Sequence, residues 1–337
     1  MSFARSSTLT CRNLGAYTAW IAPSGSRCRS DSRPLMRSLI TCRFADAYRL
    51  VALSLFVMFG IVGAAPTVAA QAQELQMYVS VLDDDDRPVT GLTVDDFVLR
   101  EDGVLREVLR VQPATEPMHV ALLVDNSAAS AQYLRDMRDG LGEFTQRIGG
   151  DHEVAVITFG DRPTIVEDYT RSVIELQQAI GKVFPRPGSG ALLLDAIYNA
   201  GEGLQRREVA RPVMVAVTTM GVEYSNRAYQ PVLRIIQEVG ATFHAVAMTS
   251  SSPSMGTESR YRDIVLDRGT SETGGRRIDL LRGQMFREAM ERLADELLSQ
   301  YLLVYARPEM LVPPDEIVVS TTRPDWTARG RSAGVAP

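Results

Sequence analysis

From His119 onward the chain alternates short apolar runs with segments whose apolar residues recur every three or four positions, and this limits the fold more than any other feature. Residues 119–124 (HVALLV) form a near-continuous apolar run, as expected of a strand covered on both faces. Leu134, Met137, Leu141, Phe144 and Ile148 come next at helical spacing. Residues 154–159 read as a second buried strand and 164–167 as a short edge strand. Val173, Leu176 and Ile180 mark a helix, as do Leu193, Ile197, Ala200 and Leu204. A strand over 213–217, a helical stripe at Val232, Ile235, Ile236 and Val239, and a strand over 242–248 continue the pattern. Phe286, Met290, Leu293 and Leu297 make the last long helix, and residues 301–305 the last strand. Strands separated by such helices imply an α/β domain with a doubly wound, mostly parallel sheet flanked by helices. Ligands of such sheets sit beyond the carboxyl ends of the strands, where strand order reverses. The loops after Val124, near residues 188–191 and after Thr218 are therefore the places to look.

Upstream, residues 73–112 read as a small β unit. Strands are expected near 77–82, 97–100 and 108–111, with turns at 83–88 and 101–103. About 40 residues barely enclose a core, so this unit is expected to pack on the α/β domain. Residues 113–118 read as a linker, 119–306 as the α/β domain and 307–337 as an extension with one short strand.

Residues 1–72 read as a leader. Residues 50–65 form an uncharged apolar run directly after Arg49, with small-residue patterns at 68–72. Basic flank, apolar centre and small-residue exit describe a secretory signal. An uncleaved membrane anchor over 50–70 is the alternative, and would be the chain's only link to a membrane. The irregular stretch 1–34 suggests that translation starts at Met36. All three cysteines, Cys11, Cys28 and Cys42, fall in the leader, so the mature protein is expected to carry no disulfide. Residues 73–337 hold 28 basic and 39 acidic residues, a net charge of −11 that argues against nucleic acid as a partner.

Asp125-Asn126-Ser127, at the end of the first core strand, resembles the opening of the metal-ion-dependent adhesion motif of von Willebrand factor A domains, which reads Asp-x-Ser-x-Ser. Residues 89–103 and 299–305 resemble the N-terminal unit and last strand of bacterial exported proteins related to that family, so that the resemblance covers about residues 75–330. It implies a site of Asp, two Ser, a Thr and a second Asp, oxygen ligands suited to Mg²⁺. Here Asp125 and Ser127 match the first two positions. Ala129 stands at the second Ser, with Ser130 beside it. Ala191 stands at the Thr, and only a one-residue slip would bring Ser189 close. Met220 replaces the final Asp, and its thioether does not suit Mg²⁺. The site is therefore degenerate, and no cofactor is expected. Asp125 and Ser127 are expected to bond loop amides and cap the next helix.

The remaining candidates favour structural readings. Residues 83–86 are four carboxylates without the Gly and distant Glu of a Ca²⁺ loop, and read as a solvated turn. Gly188-Ser189-Gly190 lacks the Gly-Lys-Ser/Thr of a phosphate loop. His119, His152 and His244 share no metal-ligand spacing and neighbour no nucleophile. Residues 249–282 read as a long polar loop on the same sheet edge, and Tyr224, Tyr229 and Tyr261 as aromatic anchors for a partner. The sequence thus predicts a secreted or envelope protein, not an enzyme, that binds a protein partner through its carboxyl-edge loops without a metal. Metal-dependent adhesion through Asp125 and Ser127 is the first alternative, and an envelope enzyme with a dispersed site the second.

Overall fold

The protein is described by a computed structural model over residues 72–249, 256–308 and 311–335, apart from 313 and 315. Residues 1–71 of the leader, with its apolar run, its cysteines and Met36, lie outside the described residues, and Ala72 opens the first strand. The described chain opens with β1 (Ala72–Leu82), β2 (Phe97–Glu101), β3 (Val104–Arg106) and β4 (Val108–Pro113). It continues as β5 (His119–Val124), α1 (Leu134–Ile148), β6 (Glu153–Thr158), β7 (Thr164–Thr170), α2 (Val173–Gly181) and α3 (Leu193–Arg207). Next come β8 (Pro212–Thr218), α4 (Tyr229–Glu238), β9 (Thr242–Met248), α5 (Thr257–Ser271), β10 (Arg277–Leu280) and α6 (Phe286–Leu298). β11 (Tyr301–Pro308), β12 (Ile317–Thr321) and β13 (Thr327–Val335) close it.

The central sheet has the order β10-β9-β8-β5-β6-β7, parallel throughout except for the antiparallel edge strand β7. β5, β6, β8 and β9 are buried on both faces, which is why they read as uninterrupted apolar runs. On one face α1, α2 and α6 enclose Met137, Leu141, Phe144, Leu176, Met290, Leu293 and Leu297. On the other, α3, α4 and α5 enclose Leu194, Ile197, Leu204, Val232, Ile236 and Leu266. Strand order reverses between β5 and β8, so their carboxyl ends, Val124 and Thr218, flank the switch point.

The flanking β structure differs from the sequence reading. β11 does not join the central sheet: it pairs antiparallel with β1 and β4, in a second sheet of order β13-β1-β11-β4. The α/β domain therefore ends with α6 rather than at residue 306. An apolar run such as 301–305 fits either sheet, and only the pairing decides. The C-terminal extension holds two strands, β12 and β13, not one, with β12 in a third sheet beside β2 and β3. Both ends of the described chain thus build one β unit around Met77, Val79, Leu99, Leu303 and Tyr305. The segment 249–282 is likewise no continuous loop, since it carries α5 and β10. Among the described residues no helix is long and apolar enough to cross a membrane.

Candidate functional site

Asp125 comes directly after β5 at the switch point and is fully buried. Its Oδ1 accepts from the Ser127 backbone N–H (2.8 Å). Its Oδ2 accepts from the Thr219 N–H (2.9 Å) and the Thr219 hydroxyl (2.6 Å). Both oxygens are thus engaged from within the chain, and the carboxylate ties the end of β5 to the end of β8. Ser127 starts a 3₁₀ turn over Ala128–Tyr133 but makes no side-chain cap bond, and its Oγ is buried without a hydrogen-bond partner. Of the two expected structural roles, Asp125 binds loop amides while the Ser127 hydroxyl caps nothing. Ser130 is buried and donates to the Ser127 carbonyl (2.8 Å), and Ser189 donates to the Arg186 carbonyl (2.9 Å), so both hydroxyls serve their own turns.

Ala129, Ala191 and Met220 offer no oxygen ligand from their side chains. Met220 sits at positive φ (54°) and packs against the core of α3, α4 and α5. Gly221 presses onto Ala129 so closely that a Cβ there would lie 2.7 Å from the alanine methyl. The residues present, one carboxylate already holding three donors and one serine hydroxyl, do not fit a hard divalent cation, which needs several oxygen ligands.

Three loops meet around Asp125. Asn126 accepts the Gly160 N–H (2.7 Å) and donates to the Phe184 carbonyl (3.3 Å), and a Cβ at Gly160 would lie 2.3 Å from the Asn126 backbone. The Ser189 carbonyl accepts from Ala128, and Ala191 bridges Glu223. Glu223 is buried; its Oε1 accepts from the N–H of Leu193 (3.0 Å) at the start of α3 and from the Ser225 hydroxyl (2.5 Å). Burial pushes its carboxyl up to about 7, against the lowering pull of Ser225 and Arg262. On the outer surface these loops expose Phe184 (61%), Val222 (55%) and Tyr224 (57%), with Arg138 stacked over Phe184 (4.5 Å).

Tyr224 is therefore at the expected edge and exposed. Tyr229 and Tyr261 are not free anchors: they meet each other (centroids 5.5 Å apart) and pack half-buried on the core, because each falls on the inner face of its helix. Asn126, Thr219, Glu223 and Arg262 escaped the sequence reading. Alternation at 222–224 would turn the apolar Val222 and Tyr224 inward and the acid out, the reverse of what the structure shows, so the sequence held no signal for a buried Glu223.

The other candidates lie elsewhere. Asp83 accepts from the N–H groups of Asp85 and Arg87 within its turn, and Asp86 pairs with Arg276 (3.0 Å). His119 pairs with Glu153 (3.3 Å), and His152 accepts the Met118 N–H (3.1 Å), both at the amino edge of the sheet. His244 is fully buried, accepts the Arg276 N–H (3.3 Å), and burial drives it down to about 4. A groove of about 730 Å³ also lies at the amino edge, between the ends of α4 and α5 and strands β12 and β13. Its Arg268 and Glu272 are bound to each other, and Arg329 to Glu296.

Fold and site together define an α/β domain of doubly wound type whose loops converge at the strand-order reversal. Residues 120–221 match the family model of the von Willebrand factor type A domain. No curated protein matches the chain. Similar solved structures include a von Willebrand factor type A protein from Catenulispora acidiphila (12% identity, 77% of this chain and 65% of that one, TM-score 0.46). Others are the vWF domain of the type V pili tip protein Mfa5 from Porphyromonas gingivalis (10%, 55% and 96%, 0.43) and the conserved hypothetical protein BatB from Bacteroides thetaiotaomicron (14%, 54% and 100%, 0.42). The chain spans 65% of the length of the Catenulispora protein.

Proposed function

We propose that this protein is a non-catalytic, extracytoplasmic binding module that engages a protein partner through the loops at the carboxyl edge of its central sheet, without a metal. The observation that carries the reading is the exposure of Phe184, Val222 and Tyr224 on loops otherwise pinned by buried hydrogen bonds. Aromatic side chains on a rigid support are good anchors, because little entropy is lost when they are covered. The matching domain class and the leader-like N-terminus support a module working outside the cytoplasm.

A photo-crosslinking residue placed at Tyr224, with a control at exposed Val104, tests the docking face in the native host. A discrete protein adduct at 224, absent at 104 and lost with Val222→Glu, is the expected outcome; equal labelling at both positions sinks the reading. Metal independence is tested by melting the protein in EDTA and in millimolar Mg²⁺ or Mn²⁺. No shift is expected, because only a ligand of the folded state raises the melting point. The unpartnered Ser127 Oγ is the one feature favouring metal-dependent adhesion. A rise with metal that disappears in Asp125→Ala would establish that alternative.

A further inference from the structure

The three-stranded sheet ends in β12, which pairs with β2 on one side only. In an antiparallel ladder alternate residues turn their N–H and C=O groups toward the partner strand, and the residues between them turn theirs away. The Asp102 N–H donates to the Glu316 carbonyl (3.0 Å) and the Thr322 N–H to the Asp96 carbonyl (2.9 Å), so positions 316, 318, 320 and 322 face β2. Ile317, Val319 and Thr321 therefore direct their backbone groups to the other side, where no strand receives them among the described residues. That side is not open surface. Residues 316–319 line the groove of about 730 Å³, opposite Gln237, Arg268 and Glu272 at the ends of α4 and α5. Exposed Val318 and buried Val319 point to opposite faces of the sheet, and both line the groove, so it runs along the edge of β12. A second unpaired edge, that of β13, borders it with residues 328–330. Gly330 of β13 touches Gly274 backbone to backbone at the base, where a Cβ on Gly274 would lie 2.5 Å from Gly330. The other strand edges are blunted, since β7 joins β6 through two register shifts and β3 has three residues.

We propose that this groove takes an extended segment of a protein partner, which adds antiparallel to the free edge of β12 as a further strand. Unpaired edge groups are a template for such addition, and the volume is that of a ligand site, about 300–1,000 Å³. The edge is recessed behind α4 and α5. A second copy would bring its own helix ends against them before two such edges met, whereas a single extended chain needs a width of only about 4.8 Å. Charge sets one end of the segment. Arg268 pairs with Glu272 and Arg329 with Glu296, which leaves Glu316 as the charge in the lining without an ion pair among the described residues. Its complement is a Lys or Arg at the carboxyl end of the segment. Side chains on one face of the added strand lie with Val319 and Ala328 and are apolar; those on the other lie outside with Val318 and Ser320. The groove is at the sheet edge opposite Tyr224, so the inference does not rest on the docking function proposed above.

A short capped peptide of alternating valine and threonine, with lysine at its carboxyl end, is the probe. It is added at millimolar concentration to the full chain, and amide exchange is read residue by residue. Ile317 and Val319 are expected to slow about fivefold, while Val318 and Ser320, already bonded to β2, keep their rates. The same peptide N-methylated throughout lacks the donors and is expected to change nothing. Ile317→Pro removes an edge donor at the first position of an edge strand, where proline is tolerated, and is expected to weaken peptide binding about tenfold. Glu316→Lys is expected to weaken it about threefold and to favour a peptide ending in glutamate instead. No slowing at Ile317 and Val319 overturns the proposal, as does equal slowing by the methylated peptide or equal slowing at Val318 and Ser320. Undiminished binding to Ile317→Pro also overturns it, and an unchanged preference in Glu316→Lys overturns the basic end of the segment. If Ile317→Pro does not fold, the methylated peptide decides.

Discussion

Asp125 carries a charge whose hydrogen bonds all come from inside the chain, and Thr219 supplies two of the three. A hydrogen bond to a charged acceptor contributes about 1.5–3 kcal/mol. Thr219→Val, which keeps the shape and removes the hydroxyl, is expected to cost that much in urea denaturation; a loss below about 0.5 kcal/mol would mean that the contact is idle. Glu223 and His244 act on the pH response in opposite directions. Folded Glu223 keeps its proton up to about pH 7, against 4.5 when unfolded, so the folded state binds more protons in that window. Falling pH through that window therefore stabilises the protein by about 3 kcal/mol from this group. His244 titrates near 4 when folded and 6.5 when unfolded, so falling pH between those values destabilises. The two largely cancel between pH 6.5 and 4.5, leaving a rise in stability from pH 8 to 6.5. In Glu223→Gln the acid-destabilising groups remain, His244 together with His152 and Glu296, whose pKa values folding also lowers, so stability should hold from about pH 8 to 6.5 and then fall. Denaturant midpoints across about pH 4–8 check this, and an unchanged profile in the variant would refute it.

The helices on the face of α1, α2 and α6 were legible because their inward positions are large and apolar, as Leu141, Leu176 and Leu293 are. α5 was not. Its buried positions are Ser259, Arg262, Val265, Leu266, Gly269 and Thr270, a helical stripe in which only two members are apolar. The polar members are buried because each finds a partner or a close fit: Thr270 donates to the Leu266 carbonyl, Arg262 to Gly221, and Gly269 lets the helix approach Phe243. Hydrophobic periodicity cannot register such a stripe. The same limit hid most of the site. Asp125 and Ser127 stood out as a short motif, whereas Arg262 lies far from the Gly221 loop in sequence and reaches the Gly221 carbonyl only because α5 packs beside α4. If α5 is a packed helix, Leu266→Ala is expected to cost about 2–5 kcal/mol, and the exposed Asp267→Ala close to nothing. Equal small effects in chemical denaturation would restore the loop reading of this segment.

At the scale of the molecule, the chain closes on itself: β11, from after the α/β domain, lies between β1 and β4 from before it. Arg211, at the threshold of β8, binds these parts together. Its Nη1 donates to the Glu116 carbonyl (3.0 Å) in the segment leading into β5, and its Nη2 to the Leu297 carbonyl (2.9 Å) ending α6 and to Gln300 (2.7 Å). Gln300 in turn donates to Ser80 of β1, and the guanidinium lies over the Tyr78 ring (4.9 Å). Burial lowers Arg211 to about 10, so it stays charged at neutral pH although its hydrogen-bond partners are carbonyls and an amide. Arg211→Met fills similar space but leaves those buried acceptors without a donor, and each unsatisfied group costs about 1–3 kcal/mol. The loss should total several kcal/mol, and it should not be spread evenly. The end of α6, the segment 113–118 and β1 all hang on this residue, whereas none of these hydrogen bonds reaches β9 or α4. Arg211→Met should therefore admit protease cleavage within 113–118 before the central sheet melts, separating one thermal transition into two. If the variant melts in a single transition within about 1 kcal/mol of wild type and resists cleavage there, the two sheets are joined by apolar packing alone.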